Sequence, residues 1–166
     1  IDGWLHTGDI GKFDEQGSLM ITDRKKDIIV NSGGDNISPQ RIEGLMTLET
    51  EISQAMVYGD DKPYLVAVVW PDEDFMREFA RDNGLSNDIE VLGKNEEFRK
   101  VIRTAIDHVN QRLSTIEKVR SFMFAEAAFT IDNEMLTPSM KIRRHKIREA
   151  YAKQLDGLYQ RKRSGQ

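Results

Sequence analysis

The stretch Ala55-Met56-Val57-Tyr58-Gly59-Asp60-Asp61-Lys62-Pro63-Tyr64-Leu65-Val66-Ala67-Val68-Val69-Trp70 decides the fold class. Two apolar runs flank a polar segment containing Gly and Pro, which predicts strands at 55–58 and 65–70 joined as a hairpin. The connection is too long for a tight two-residue turn. Toward the C-terminus, Asp72 to Asn83 predicts a short helix stopped by Gly84. From Glu96 onward, Phe98, Val101, Ile102, Ala105, Ile106, Val109 and Leu113 recur at helical spacing, the strongest periodic pattern in the chain. Phe122-Met123-Phe124 predicts another strand, Met135 to Met140 a loop around Thr137-Pro138, and the chain closes on a basic helix from about Arg144.

Toward the N-terminus, Ser38-Pro39 pairs a good N-cap with a good first-turn residue. The helix it opens has Ile42, Leu45 and Met46 as its expected apolar face. Ser32-Gly33-Gly34-Asp35-Asn36 reads as a loop and Ile28-Ile29-Val30 as a short buried strand. Residues 10–30 read as strands around the turn Asp14-Glu15-Gln16-Gly17. Strands interspersed with helices, with an antiparallel hairpin among them, predict an α+β (mixed α/β) fold: a small sheet with a β-hairpin packed against several helices.

At 166 residues, with 39% hydrophobic and 31% charged, the chain has the means for its own core and is not a disordered segment. It contains no cysteine, which excludes a disulfide scaffold, a thiolate metal site and a cysteine nucleophile. No apolar run approaches the roughly 18 residues of a membrane span, and no stretch of the given residues reads as a signal peptide. A cytoplasmic protein is expected, with peripheral membrane contact open to the basic tail. The chain starts at Ile1, inside what reads as a motif, so a piece of a longer protein is expected. The net charge of −4 is uneven: residues 138–166 carry +7 and the rest −11. Arg161, Lys162 and Arg163 contribute to a tail suited to nucleic acid, acidic lipid or a small phosphorylated ligand, or simply to a solvated helix face.

Much chemistry is missing. His6, His108 and His145 form no metal-binding cluster. Gly33-Gly34 is not a Walker-type loop, and no nucleophile elbow is present. Asp60-Asp61 and Glu96-Glu97 read as solvated loop or cap carboxylates, and His108 as a packing or surface residue. Four segments ask for more than packing. In Gly3-Trp4-Leu5-His6-Thr7-Gly8-Asp9, a carboxylate at a glycine turn can accept two hydrogen bonds from a vicinal diol. Asp23-Arg24-Lys25-Lys26-Asp27 offers a guanidinium fork to sugar or phosphate oxygens. Ser32 to Pro39 runs a glycine loop into a helix N-terminus, open to close ligand approach. Leu136-Thr137-Pro138-Ser139-Met140-Lys141-Ile142-Arg143-Arg144 puts a lysine on a proline-stiffened loop ahead of a basic helix.

In this order and spacing the four segments resemble the C-terminal part of the adenylate-forming enzymes: acyl-CoA synthetases, luciferases and peptide-synthetase adenylation domains. The resemblance runs from Gly3 to about Arg148. DGWLHTGDIG (2–11), DRKKDIIVNSGGDNISPQRIE (23–43), QAMVYGDDKPYLVAVV (54–69) and LTPSMKIRR (136–144) are similar to the long-chain fatty acid–CoA ligases. Asn31-Ser32-Gly33-Gly34 departs from the KIRG-type loop of peptide-synthetase domains. The resemblance implies that residues 1–25 are the tail end of a large N-terminal domain and the hinge approach, and residues 26–166 a mobile C-terminal lid. It implies that Asp9 and Arg24 bind the ribose of ATP and of the acyl-adenylate, and that Lys26 is the hinge. Ser32, Gly33 and Gly34 would line the pantetheine tunnel for CoA, and Lys141 would be the catalytic lysine, bridging the carboxylate substrate and the α-phosphate. ATP with Mg2+ is implied, the phosphate loop and metal ligands lying in the N-terminal domain, the lid's partner; no metal site is expected here.

Three readings stay open at this point. The first is a long-chain fatty acid–CoA ligase acting on a fatty acid or other carboxylate. The second is an acyl-AMP ligase delivering to a carrier protein. The third is an anion-binding module, against which the chain offers no RNA-binding aromatic motif and no sign of a specific nucleic acid partner.

Overall fold

A computed structural model of the protein describes residues 3–160. Arg161, Lys162 and Arg163 of the basic tail lie outside the described residues. The chain opens on β1 (Asp9–Phe13) and β2 (Leu19–Arg24), an antiparallel hairpin whose turn is closed by Asp14. The Asp14 carboxylate accepts the amides of Gln16 and Ser18 at 2.9 and 2.8 Å, so the polar turn read from the sequence has a definite mechanism. A one-turn 3-10 helix, Lys25–Asp27, follows with no buried residue. Next come β3 (Ile29–Val30) and β4 (Asn36–Ile37), a two-residue antiparallel pair, and α1 (Pro39–Met46). Of the predicted buried strand only Ile29 is buried, because so short a pair covers one face, and Val30 is exposed.

The body is a three-stranded sheet of β5 (Ile52–Tyr58), β6 (Leu65–Pro71) and β7 (Val119–Phe124). β5 and β6 pair antiparallel as the sequence predicts, while β6 and β7 pair parallel, which no local pattern announces. Between β6 and β7 run α2 (Glu73–Asn83), the short α3 (Ile89–Leu92) and α4 (Glu96–Asn110). Asp72 caps α2 and Gly84 ends it at φ 64°, where a left-handed residue is needed. Asn95 caps α4. The last elements are α5 (Arg144–Ala150) and α6 (Ala152–Gln160).

β6 is central, and its alternation feeds two cores. Leu65, Ala67 and Val69 face α1, α2 and α4, packing with Ile42, Phe98, Ile102 and Ile106. Val66 and Val68 face the other way, with Met56, Phe129, Ile147, Tyr151 and Leu155. The result is a mixed α/β body with helices on both faces of the small sheet. The described core begins at Ile29: Ile10, Phe13, Leu19, Met20 and Ile21 of the first hairpin are all exposed. Among the described residues no helix is long and apolar enough to cross a membrane.

Polar ties hold the layers in register. Asn110 exchanges two 2.9 Å hydrogen bonds with the backbone of Val119, fixing α4 to the first residue of β7. Arg41 of α1 reaches Glu117 at 2.7 Å. Burial alone would raise the Glu117 pKa, but hydrogen bonds from the Ser114 hydroxyl and amide, with the Arg41 guanidinium, hold it below the usual carboxylate value. A carboxylate depressed in the folded state adds stability above its unfolded pKa and loses it as pH falls through the folded one. Wild type is therefore expected to be more stable than Glu117→Gln at about pH 7, the gap closing by about pH 3. Urea midpoints at the two pH values check this, and a pH-independent gap would refute it.

Candidate active site

The four segments singled out in the sequence occupy three places. Asp9 and Arg24 face each other across the first hairpin, Asp9 Oδ1 lying 3.6 Å from Arg24 Nε. The Lys25 amide donates to Gly8 O at 2.8 Å, so the glycine turn and the start of the 3-10 turn are tied together. Lys26 sits in the middle of that turn, exposed, between the first hairpin and β3.

The glycine loop is built around Asn31. Its side-chain oxygen accepts the amides of Gly33 at 3.0 Å and Asp35 at 2.9 Å, while its Nδ2 donates to Asp35 Oδ2 at 3.1 Å. Gly34 takes φ 85°, which explains glycine there. The loop is anchored to the β5–β6 turn: Ser32 N donates to Lys62 O at 3.0 Å and Asp61 N to Val30 O at 2.8 Å. Asp60 Oδ1 accepts the Val30 amide at 3.1 Å and its other oxygen lies 3.8 Å from Arg148. Asp60 stays half-exposed in its loop, as the sequence reading has it, and in addition ties loop, turn and α5 together. His108 is a surface residue, its Nδ1 2.8 Å from Glu49 Oε1.

Lys141 stands on a closed loop. Thr137 N donates to Lys141 O at 2.8 Å, the Lys141 amide donates to Thr137 Oγ1 at 3.1 Å, and Leu136 bridges Ile142 below. Met140, immediately before it, is held at φ 63°, an uncommon conformation for a residue with a side chain. The basic residues after Lys141 combine partial exposure with ion pairing. Arg143 and Lys146 flank Glu134, Arg144 pairs with Glu43, and Arg148 approaches Asp60. Among the described residues Lys141 alone of these five cations has no ion-pair partner, and its side chain is exposed.

A groove of about 970 Å³ brings Asp9, Arg24, Lys26 and Lys141 together, floored by Ile29, Val57 and Gly59. Ser32, Gly33 and Gly34 lie outside it. A carboxylate able to accept from a diol, a guanidinium and an uncommitted ammonium around one cleft suit a nucleotide. No group of three or more His, Cys, Asp or Glu among the described residues is placed to hold a metal ion.

Sequence reasoning missed Glu43, which is 6% exposed and lines the same groove. Arg144 grips it with both nitrogens of its fork, at 2.5 and 3.0 Å, and Glu43 Oε1 also accepts the Val57 amide at 2.8 Å. A signal existed: Glu43 stands between Ile42 and Met46 on the apolar stripe of α1, where a solvated glutamate has no place.

The sequence profile of the AMP-binding enzyme C-terminal domain matches residues 26–163. The chain belongs to that family. It is 36% identical over 161 residues to long-chain-fatty-acid–CoA ligase 1 of Cavia porcellus, covering 95% of this chain and 23% of that protein. Against long-chain-fatty-acid–CoA ligase FadD15 of Mycobacterium tuberculosis it is 36% identical over 160 residues, covering 95% and 27%. The chain thus spans about a quarter of the length of these curated relatives. Among solved structures, the adenylation domain of a carboxylate reductase from Mycobacterium chelonae superposes with TM-score 0.81 at 25% identity, covering 95% of this chain and 23% of that one. Mycobacterium tuberculosis fatty acyl CoA synthetase does so with TM-score 0.53 at 29% identity, covering 91% and 25%.

Proposed function

We propose that this chain is the mobile catalytic lid of a long-chain fatty acid–CoA ligase, working on the large N-terminal domain of the same protein. In the first half-reaction a carboxylate oxygen of the fatty acid attacks the α-phosphorus of ATP, and the bond to pyrophosphate breaks. In the second, the CoA thiol loses its proton, its sulfur attacks the acyl carbon and AMP leaves. Family membership supports the adenylating chemistry, and the similarity to proteins named long-chain-fatty-acid–CoA ligases supports the substrate class.

The observation that carries the residue assignment is the uncommitted Lys141 ammonium in one groove with Asp9 and Arg24. Asp9 and Arg24 hold the ribose, and Lys141 meets the charge that develops between carboxylate and α-phosphate, where a fixed cation favours the transition state over the ground state. Ser32, Gly33 and Gly34, outside that groove, serve the CoA half-reaction after the lid has turned about Lys26. The exposed apolar hairpin supports assigning residues 1–25 to the N-terminal domain, and the family match starting at residue 26 supports the boundary. Magnesium, bound with ATP, would neutralise phosphate charge, and we assign its ligands to the N-terminal domain of the same protein.

The test is a fusion of this chain to the N-terminal region of FadD15, replacing the matching C-terminal residues. The fusion is expected to make acyl-CoA from ATP, CoA and a long-chain fatty acid, and the 166 residues alone are expected to make none. A folded fusion that forms acyl-adenylate but transfers it only to a carrier-protein thiol would favour the second reading, which the likeness to a reductase adenylation domain supports. A folded fusion that forms no adenylate would overturn both.

A further inference from the structure

The Glu43–Arg144 pair lies beside Lys141 without being one of the groups that would touch substrate. Arg144 is the first residue of α5 and comes three residues after Lys141. Its fork closes on both oxygens of Glu43 from α1, and its Nη1 also donates to Val57 O of β5 at 3.1 Å. Glu43 in turn takes the Val57 amide at 2.8 Å. One carboxylate thus joins α1, β5 and the root of α5. The loop above is pinned at the same root, where Arg143 N donates to Met135 O at 2.8 Å. The loop's own bonds set its shape, but its placement over the groove depends on where α5 begins.

We propose that Glu43 is a positioning residue for Lys141: by fixing Arg144 on the strand, it aims the lysine loop into the groove shared with Asp9 and Arg24. The proposal rests on the reading of Lys141 given above. A paired Arg144 also keeps a second guanidinium at the groove floor from competing with Lys141 for substrate anions. A bidentate fork defines direction as well as distance, which a lone charge does not. A catalytic group displaced by about 1 Å loses up to about a hundredfold in rate.

In the FadD15 fusion, Glu43→Gln keeps an acceptor for the Val57 amide and removes the charge that Arg144 grips. It is expected to lower kcat for adenylation, read by pyrophosphate exchange, roughly ten- to a hundredfold. KM for ATP should stay within about twofold, and transfer from preformed acyl-adenylate to CoA should be unchanged. Amide hydrogen exchange over residues 137–142 should rise while that of β6 does not. Glu43→Asp, which keeps the charge, should recover part of the rate. If Glu43→Gln does not fold, Arg144→Lys carries the same test, since it keeps the charge and loses the fork. Equal loss of both half-reactions would make Glu43 a stability residue only and overturn the proposal. So would unchanged adenylation in Glu43→Gln alongside an inactive Lys141→Ala control. If Lys141→Ala itself adenylates normally, the reading of the lysine fails and the proposal with it.

Discussion

Lys141→Ala in the FadD15 fusion is expected to cut acyl-adenylate formation by at least about two orders of magnitude, the 3–4 kcal/mol typical of one lost transition-state donor. The conversion of synthetic acyl-adenylate to acyl-CoA should survive, because on the proposed reading that step proceeds after the lid has carried the lysine away. The structure sharpens the controls. Arg143 and Lys146 share Glu134, so Arg143→Ala and Lys146→Ala remove partly exposed ion pairs worth about 1 kcal/mol or less. Arg144→Ala is not a neutral control, since it strands the buried Glu43 carboxylate, and loss of one partner of a buried pair costs about 3–5 kcal/mol. Pyrophosphate exchange near wild type in Lys141→Ala would make the lysine structural.

Lys26→Pro gives the second large effect. Lys26 lies in a 3-10 turn, whose φ of about −50 to −70° matches the value proline imposes. The substitution is therefore expected to hold the turn as it stands here, with Lys141, Asp9 and Arg24 on one groove. Adenylation should persist while the thioester half-reaction falls by about two orders of magnitude or more, since on the proposed reading a lid that cannot turn cannot present the glycine loop. Proline also disfavours helical dihedrals at Lys25, a cost read separately from the thermal midpoint. Equal loss of both half-reactions in a folded protein would remove Lys26 as the hinge.

The fold was legible where one local cause acts alone. α4 followed from its apolar spacing, α2 from Asp72 and Gly84 at its ends, and the β5–β6 hairpin from two apolar runs about a polar turn. The parallel seating of β7 was not, because its partner is distant in sequence and parallel pairing leaves no turn to read. Among the candidate site residues, Asp9, Arg24 and Lys141 stood out as motifs, yet their shared groove required the fold. Glu43, Asp60 and Arg148 were passed over because a charged residue reads as solvated until its partner is known. Each of those partners comes from a remote element.

The crossover from Pro71 to Val119 bears on how the chain survives its own synthesis. Until α2, α3 and α4 have formed and folded back, the β7 edge of β6 is an unpaired strand edge, with Val66 and Val68 on one face and Leu65, Ala67 and Val69 on the other. Such an edge is a template for pairing with another chain, and nonlocal pairing is slow to close. Damage to α4 therefore prolongs the exposure of a sticky strand before it touches turnover, and its first symptom is a falling yield of soluble protein.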